Sequence, residues 1–177
     1  MVSKVLEKII HDGIMDHLHK NNLLNTNQFG FVKHPSTKIQ MMLVIDEWTK
    51  LVDHGTDVDI LYLDFTKAFD KVSHSHLHKL EGLGINQTVL NWLQEFMYGR
   101  SQAVVYNCRS STNKVQSGVP QGTVIGLVSF VSFINDLPEV VSSPICMFAD
   151  DTKLFRVITD SADHHQLQTD IDNLVAW

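Results

Sequence analysis

The sequence predicts an α+β fold, and three observations predict it. Apolar residues recur at helical spacing near both ends of the chain. Short runs rich in aliphatic and aromatic residues break that period in the middle and near residue 150. The two kinds of segment then mix without the strict alternation that a parallel sheet requires. At 177 residues and 20.1 kDa the chain fits one domain or a large piece of one. With 44% hydrophobic and 19% charged residues it belongs to neither the disordered nor the fibrous class.

The elements follow in order. Val2, Val5, Leu6, Ile9, Ile10, Ile14 and Leu18 define an amphipathic helix that fades at Asn21-Asn22. Residues 25–36 are rich in turn formers, and a second helix carries Ile39, Met42, Leu43, Trp48, Leu51 and Val52 up to His54-Gly55. Val58–Phe65 then reads as a mostly buried strand. Residues 66–83 and 86–98 read as helices separated by Gly84, and residues 101–107 alternate as a strand that Lys114–Gln116 could join. Ser117–Gly122 is a loop feeding an apolar helix that runs to Leu137-Pro138. Ile145–Ala149 and Thr152–Val157 form a hairpin with Asp150-Asp151 at its turn, and a last helix begins near Ser161. That helix has no stop signal before Trp177, which reads as an excerpt from a longer protein.

Charge and composition narrow the function. Fourteen Lys+Arg stand against 20 Asp+Glu, a formal net charge of −6. Overall charge therefore cannot hold this chain to nucleic acid, and such a role needs a local site. Cys108 and Cys146 are far apart and lack metal-ligand spacing, so neither a disulfide framework nor a zinc site is indicated. The longest apolar stretch, Val124–Ile134, carries Ser129 and Ser132 and is far short of the roughly 20 residues of a membrane span. No membrane partner is expected, and an intracellular setting is.

Three carboxylates stand at predicted strand ends: Asp64 after the first strand, Asp150 and Asp151 at the hairpin turn. Neighbouring carboxylates disfavour one another's ionisation unless a cation compensates them. Two Mg²⁺ ions, hard acceptors of oxygen ligands, are the economical solution, and a metal pair about 3.5–4 Å apart can serve both ends of an in-line displacement. Taken singly, each Asp is better explained as a cap or turn residue. His74, His76 and His78 lack a carboxylate or Cys partner and read as a solvated helix surface; Lys4, Lys8 and Lys20 likewise read as an exposed face.

Order and spacing change the weight of the carboxylates. Leu63-Asp-Phe-Thr-Lys-Ala-Phe-Asp70, Ser117-Gly-Val-Pro-Gln-Gly122 and Phe148-Ala-Asp-Asp151 occur in sequence, with Gln28-Phe29-Gly30-Phe31 upstream and Phe133–Pro138 after the central motif. Over nearly its whole length the chain resembles the reverse transcriptase domain of non-LTR (LINE-type) retrotransposons. The resemblance implies a right-hand polymerase palm, an antiparallel sheet with packed helices, over about 58–177, and part of the fingers over about 1–57. The thumb would be absent, with an endonuclease domain elsewhere in the full-length protein. It implies RNA-directed DNA polymerisation with an RNA template, a DNA primer and deoxynucleoside triphosphates, two Mg²⁺ ions with Mn²⁺ as substitute, and a nuclear location.

By the same resemblance Asp64, Asp150 and Asp151 are catalytic metal ligands, and Phe65 adds a main-chain carbonyl. Phe69 would lie under the sugar and exclude a ribose 2′-hydroxyl. Gln121 would line the nucleotide pocket, and Gly122 would help lead into a helix whose N–H groups favour a phosphate. Lys33 is the one basic residue left where the family carries an arginine.

Four departures run the other way. His34-Pro35 replaces a Gly-Arg pair, and Leu127 replaces a proline. Ser129 and Ser132 replace apolar residues. The helix after Ser73 is one residue short, which turns its remaining face by about 100°. A decayed copy that folds without polymerising is thus one alternative, and an unrelated Mg²⁺ hydrolase using the same carboxylates is another.

Overall fold

The structure, a computed structural model, describes residues 2–32, 37–120 and 122–177. Lys33, His34, Pro35 and Gln121 therefore lie outside the described residues. The elements in chain order are α1 (Val2–Lys20), α2 (Thr37–Asp53), β1 (Asp57–Leu63), α3 (Ala68–Lys71), α4 (Leu77–Gly82) and α5 (Gln87–Met97). Four short strands follow: β2 (Ser101–Gln102), β3 (Val105–Tyr106), β4 (Cys108–Arg109) and β5 (Asn113–Lys114). The chain closes with α6 (Val124–Phe133), β6 (Ile145–Phe148), β7 (Asp151–Ile158) and α7 (Ser161–Ala176). This is the α+β class that the period changes predict. Among the described residues no helix is long and apolar enough to cross a membrane.

Contacts divide the chain into two units, residues 1–23 with 67–133 and residues 24–66 with 134–177. In the first, α1 and α4 pack on α6, and α4 packs on α5. Leu18, Leu80, Leu93, Met97, Ile125 and Phe130 are essentially inaccessible there. Asn86 caps α5 by accepting the Thr88 N–H at 2.8 Å. Val5, Leu6 and Ile9, the N-terminal half of the α1 apolar stripe, stay exposed.

The second unit is built on an antiparallel sheet of order β1-β7-β6. Its register pairs Leu63 with Thr152 at one end and Asp57 with Ile158 at the other, while Phe148 faces Asp151 across the hairpin. Met147, Leu154 and Phe155 are buried. Trp48 of α2 meets Tyr62 and Phe155 edge-on, with ring centroids 6.5 and 5.9 Å apart. On the other side of the sequence gap, α7 packs against β7 and the 3-10 turn Leu137–Val140. A reciprocal cap opens α7: Asp160 accepts from the Ala162 and Asp163 N–H groups, and Asp163 accepts from Thr159 and Asp160.

Several expectations need correction. β1 is not mostly buried. It is one of two edge strands, with β7 as its one sheet neighbour among the described residues, and Ile60 and Tyr62 are exposed at 37% and 65%. The helix expected over 66–83 is broken into α3, a 3-10 turn at His74–His76, and α4. The reason is tertiary: Val119 N–H takes the Phe69 carbonyl and Gly118 N–H takes the Val72 carbonyl, each at 2.8 Å. Those carbonyls are then lost to the helical ladder.

The strand expected over 101–107 is reduced to two-residue pairs, β2 with β5 and β3 with β4. The latter pair turns at Asn107 with φ +57°. Pro138 lacks an N–H, and the apolar helix stops at Phe133 rather than reaching it.

Candidate active site

Asp64, Asp150 and Asp151 fall at one end of the same sheet. Asp64 directly follows the last paired residue of β1, Asp151 begins β7, and Asp150 occupies the turn between β6 and β7. Carrying the register one step past Leu63 and Thr152 sets Asp64 across from Asp151. Asp64 and Asp151 are exposed and Asp150 is half-buried. None of the three forms a hydrogen bond or ion pair with a described residue, so their oxygens are free for a cation.

The donors have the chemistry a hard divalent cation wants. They do not converge. Among the described residues no group of three His, Cys, Asp or Glu side chains is arranged to hold a metal ion. The expected shared coordination is thus met in topology and not in side-chain placement.

The hairpin turn is braced from outside the hairpin. Asn27 and Phe29 flank Gln28 along the free edge of β6: Met147 N–H donates to the Asn27 carbonyl and Phe29 N–H to the Met147 carbonyl, both at 2.8 Å. Phe65 turns its ring edge-on to Trp177, centroids 6.4 Å apart. With Leu63, Asp64, Leu137, Ile171, Leu174 and Val175 it lines an apolar cavity of about 140 Å³. Trp177 Nε1 donates to Asp136 at 3.3 Å.

Of the remaining predicted residues, Phe69 and Gly122 belong to the other unit, and Gln121 and Lys33 lie outside the described residues. Phe69 stacks at a tilt on Phe130, centroids 4.7 Å apart. It lines an apolar cavity of about 380 Å³ together with Pro120, Gly122, Thr123 and Val124. Phe69 and Gly122, which the resemblance puts at one nucleotide, do share one cavity. The close approach behind it demands glycine at 118: φ there is +85°, and a Cβ would meet the Asp70 backbone at 2.6–2.8 Å.

The phosphate-binding helix start needs correction. Glu7, only 4% exposed, accepts the Val124 N–H at 3.0 Å, and Thr123 Oγ1 accepts from Gly126 at 3.2 Å. Lys4 donates to the Gly122 carbonyl. Two N–H groups of the first turn of α6, those of Val124 and Gly126, are therefore already engaged, one of them by a carboxylate.

One histidine reading also changes, and that of His78 does not. His74 is buried, not solvated; its Nε2 bonds the Gly118 carbonyl at 2.9 Å and its ring meets Tyr98 edge-on. His78 is exposed and bonds the Ser75 carbonyl.

A polar groove of about 500 Å³ in the same unit had no sequence signal. Lys67, Arg100 and Lys114 line it with Asp70, Gln102 and the Val115–Pro120 loop. Its cations come from three separate segments, so only the fold brings them together. Arg100 is anchored by bonds to the Met97 and Gly118 carbonyls at 2.9 and 2.8 Å.

An antiparallel sheet with carboxylates at one end that have no partner among the described residues, in a chain of mixed helices and strands, is consistent with a polymerase palm. Comparison with known proteins is specific. The pattern of the family described as reverse transcriptase (RNA-dependent DNA polymerase) matches residues 1–177, and the chain belongs to that family.

The chain is 31% identical over 175 residues, 92% of its length, to a probable RNA-directed DNA polymerase from the transposon X-element of Drosophila melanogaster. It is 29% identical over 140 residues, 78% of its length, to the RNA-directed DNA polymerase of the mobile element jockey of Drosophila funebris. It spans 19% and 15% of those two relatives.

Among solved structures, telomerase from Candida albicans in complex with a fragment of telomeric RNA superimposes with a TM-score of 0.71 at 14% identity. That match covers 98% of this chain and 33% of the other. Apo telomerase from Candida tropicalis gives 0.59 at 10% identity, covering 95% and 36%. At such identities the likeness is one of fold. Reverse transcriptases as a family use divalent metal ions.

Proposed function

We propose that this chain is the palm and part of the fingers of an RNA-directed DNA polymerase of a non-LTR retrotransposon, acting inside the nucleus. The observation that carries the reading is the trio Asp64, Asp150 and Asp151, without partners among the described residues at one end of the sheet, in a chain that the family pattern matches from end to end. The reaction is in-line attack of a primer 3′-hydroxyl on a deoxynucleoside triphosphate, with pyrophosphate leaving.

Asp64, Asp150, Asp151 and the Phe65 carbonyl would hold two Mg²⁺ ions. When bound, these supply the positive charge that such a displacement needs on its attacking and leaving oxygens. The protein otherwise works by positioning and electrostatics. Phe69, backed by Phe130, gives a firm apolar wall against which a deoxyribose packs and a 2′-hydroxyl does not. Gly122 lines the same cavity as Phe69; by the family resemblance Gln121 would contact the nucleotide and Lys33 the triphosphate or template. Lys67, Arg100 and Lys114 offer the local positive surface for a template–primer backbone that the net charge denies the chain as a whole.

A second reading, a copy that folds without polymerising, draws on Glu7 at the start of α6 and on the absence, among the described residues, of three acidic side chains grouped to hold a metal. Primer extension by the longer protein that contains this chain decides between them. The polymerase reading expects Mg²⁺- or Mn²⁺-dependent extension of a DNA primer on an RNA template. It also expects a loss of about 10³-fold or more in Asp150→Asn. No extension under any metal sinks it.

A further inference from the structure

The turn that carries Asp150 is not self-supporting. Ala149, the residue before it, has φ +55°, a left-handed conformation that a side chain makes unfavourable. A strained residue at such a point persists only when its surroundings hold it there. Here the holding group is Gln28, 121 positions away in sequence, whose Oε1 accepts the Ala149 N–H at 3.1 Å and the Gly30 N–H at 2.7 Å.

Gln28 is 3% exposed, and its Nε2 has no partner among the described residues. A buried amide with an unmatched NH₂ is destabilising, so stability alone does not account for glutamine here. Gly30 completes the clasp. A Cβ there would overlap the Ala149 nitrogen and lie 2.9 Å from the Phe148 carbonyl carbon, so only glycine lets the two backbones touch. The backbone bonds of Asn27 and Phe29 to Met147 set the height at which Gln28 meets the turn.

We propose that Gln28, seated by Gly30, is a positioning residue that fixes the Ala149-Asp150 turn so that the Asp150 carboxylate can receive a metal. The proposal rests on the reading of Asp150 as a metal ligand. Gln28 touches neither metal nor substrate. It acts through one backbone N–H, as partners beyond the immediate ligands commonly do.

The experiment compares Gln28→Met, which removes the acceptor at similar volume, with Gln28→Glu, which keeps an acceptor oxygen at the same reach. Gln28→Asn, one methylene shorter, serves where Gln28→Met does not fold. Two readouts are taken on the 177-residue chain: hydrogen exchange of the Ala149 amide, and the Kd for Mn²⁺ alone. The expected result is a loss of Ala149 protection and an Mn²⁺ affinity weakened about 10-fold or more in Gln28→Met. Gln28→Glu should restore most of both.

Asp150→Asn is the control that separates the two layers. Weaker Mn²⁺ binding in Asp150→Asn, with affinity and Ala149 exchange unchanged in Gln28→Met, overturns the positioning role alone. Unchanged Mn²⁺ binding in Asp150→Asn overturns the metal-ligand reading and the positioning role with it.

Discussion

At the scale of single residues, Asp170 shows how a buried charge is made tolerable. It is 1% exposed on α7, yet it accepts the Ser142 and Ser143 N–H groups at 2.9 Å each and a further bond from Gln166 at 3.3 Å. Burial alone would push its carboxyl up; the bonds from Ser143, Ser142 and Gln166 prevail and hold it below the ordinary value of 3.8. A carboxyl lowered in the folded state adds stability above that ordinary value and loses it as pH falls through the folded one.

Asp170→Asn should therefore cost about 2–4 kcal/mol at neutral pH. The gap to the unsubstituted chain should close as pH drops below 3.8. Thermal melts across that range check it, and a gap independent of pH would show that the charge is irrelevant. Asp170 had no signature in the sequence, because Ser142-Ser143 lies 27 or 28 positions away. Asp150-Asp151 was legible because two apolar runs flank it. Gln28 was visible as part of a motif, but its partner Ala149 is a backbone group that no pattern marks.

At the scale of elements, the hydrophobic periods located the helices and the hairpin, while tertiary bonds decided where they break. The segment 66–83 has helical composition, yet Lys67 is left-handed at φ +55°, and the Ser117–Pro120 loop breaks the helix further by taking the Phe69 and Val72 carbonyls. α6 carries a different lesson. Ser129 and Ser132 are 6% and 3% exposed, and their hydroxyls have no partner among the described residues. Both line a small cavity beside His74, Leu77 and Met97.

A buried hydroxyl without a partner costs about 1–3 kcal/mol, and Ala is the better helix former. Ser129→Ala and Ser132→Ala should each raise stability by about 1 kcal/mol, or roughly 2–4 °C in Tm for a domain this size. A fall in Tm on either substitution would mean that the hydroxyls are satisfied by water in that cavity.

At the scale of the whole molecule, a formal charge of −6 meets the demand of the nucleic-acid substrate proposed above. Long-range repulsion and a local positive groove then compete, and salt distinguishes them. Screening weakens both, but contacts to phosphate also release condensed counterions, so affinity falls with salt at a slope set by the number of phosphates touched. The 177-residue chain should bind an RNA–DNA hybrid near the weak end of the roughly 10⁻⁶–10⁻⁴ M range of non-specific binders at physiological salt. Its salt slope should be shallow, reflecting only the few contacts that Lys67, Arg100 and Lys114 can make.

Substituting Lys67 and Lys114 together by Gln should reduce that slope by about two, one for each phosphate contact removed. Arg100 is left in place because its guanidinium already holds the Met97 and Gly118 carbonyls, and its loss would disturb the loop as well as the charge. Fluorescence anisotropy of a labelled hybrid between about 50 and 200 mM salt supplies both numbers. A steep slope that the double substitution leaves unchanged would place the phosphate contacts elsewhere on the molecule, and the groove would then be a feature of the fold without a hold on the substrate.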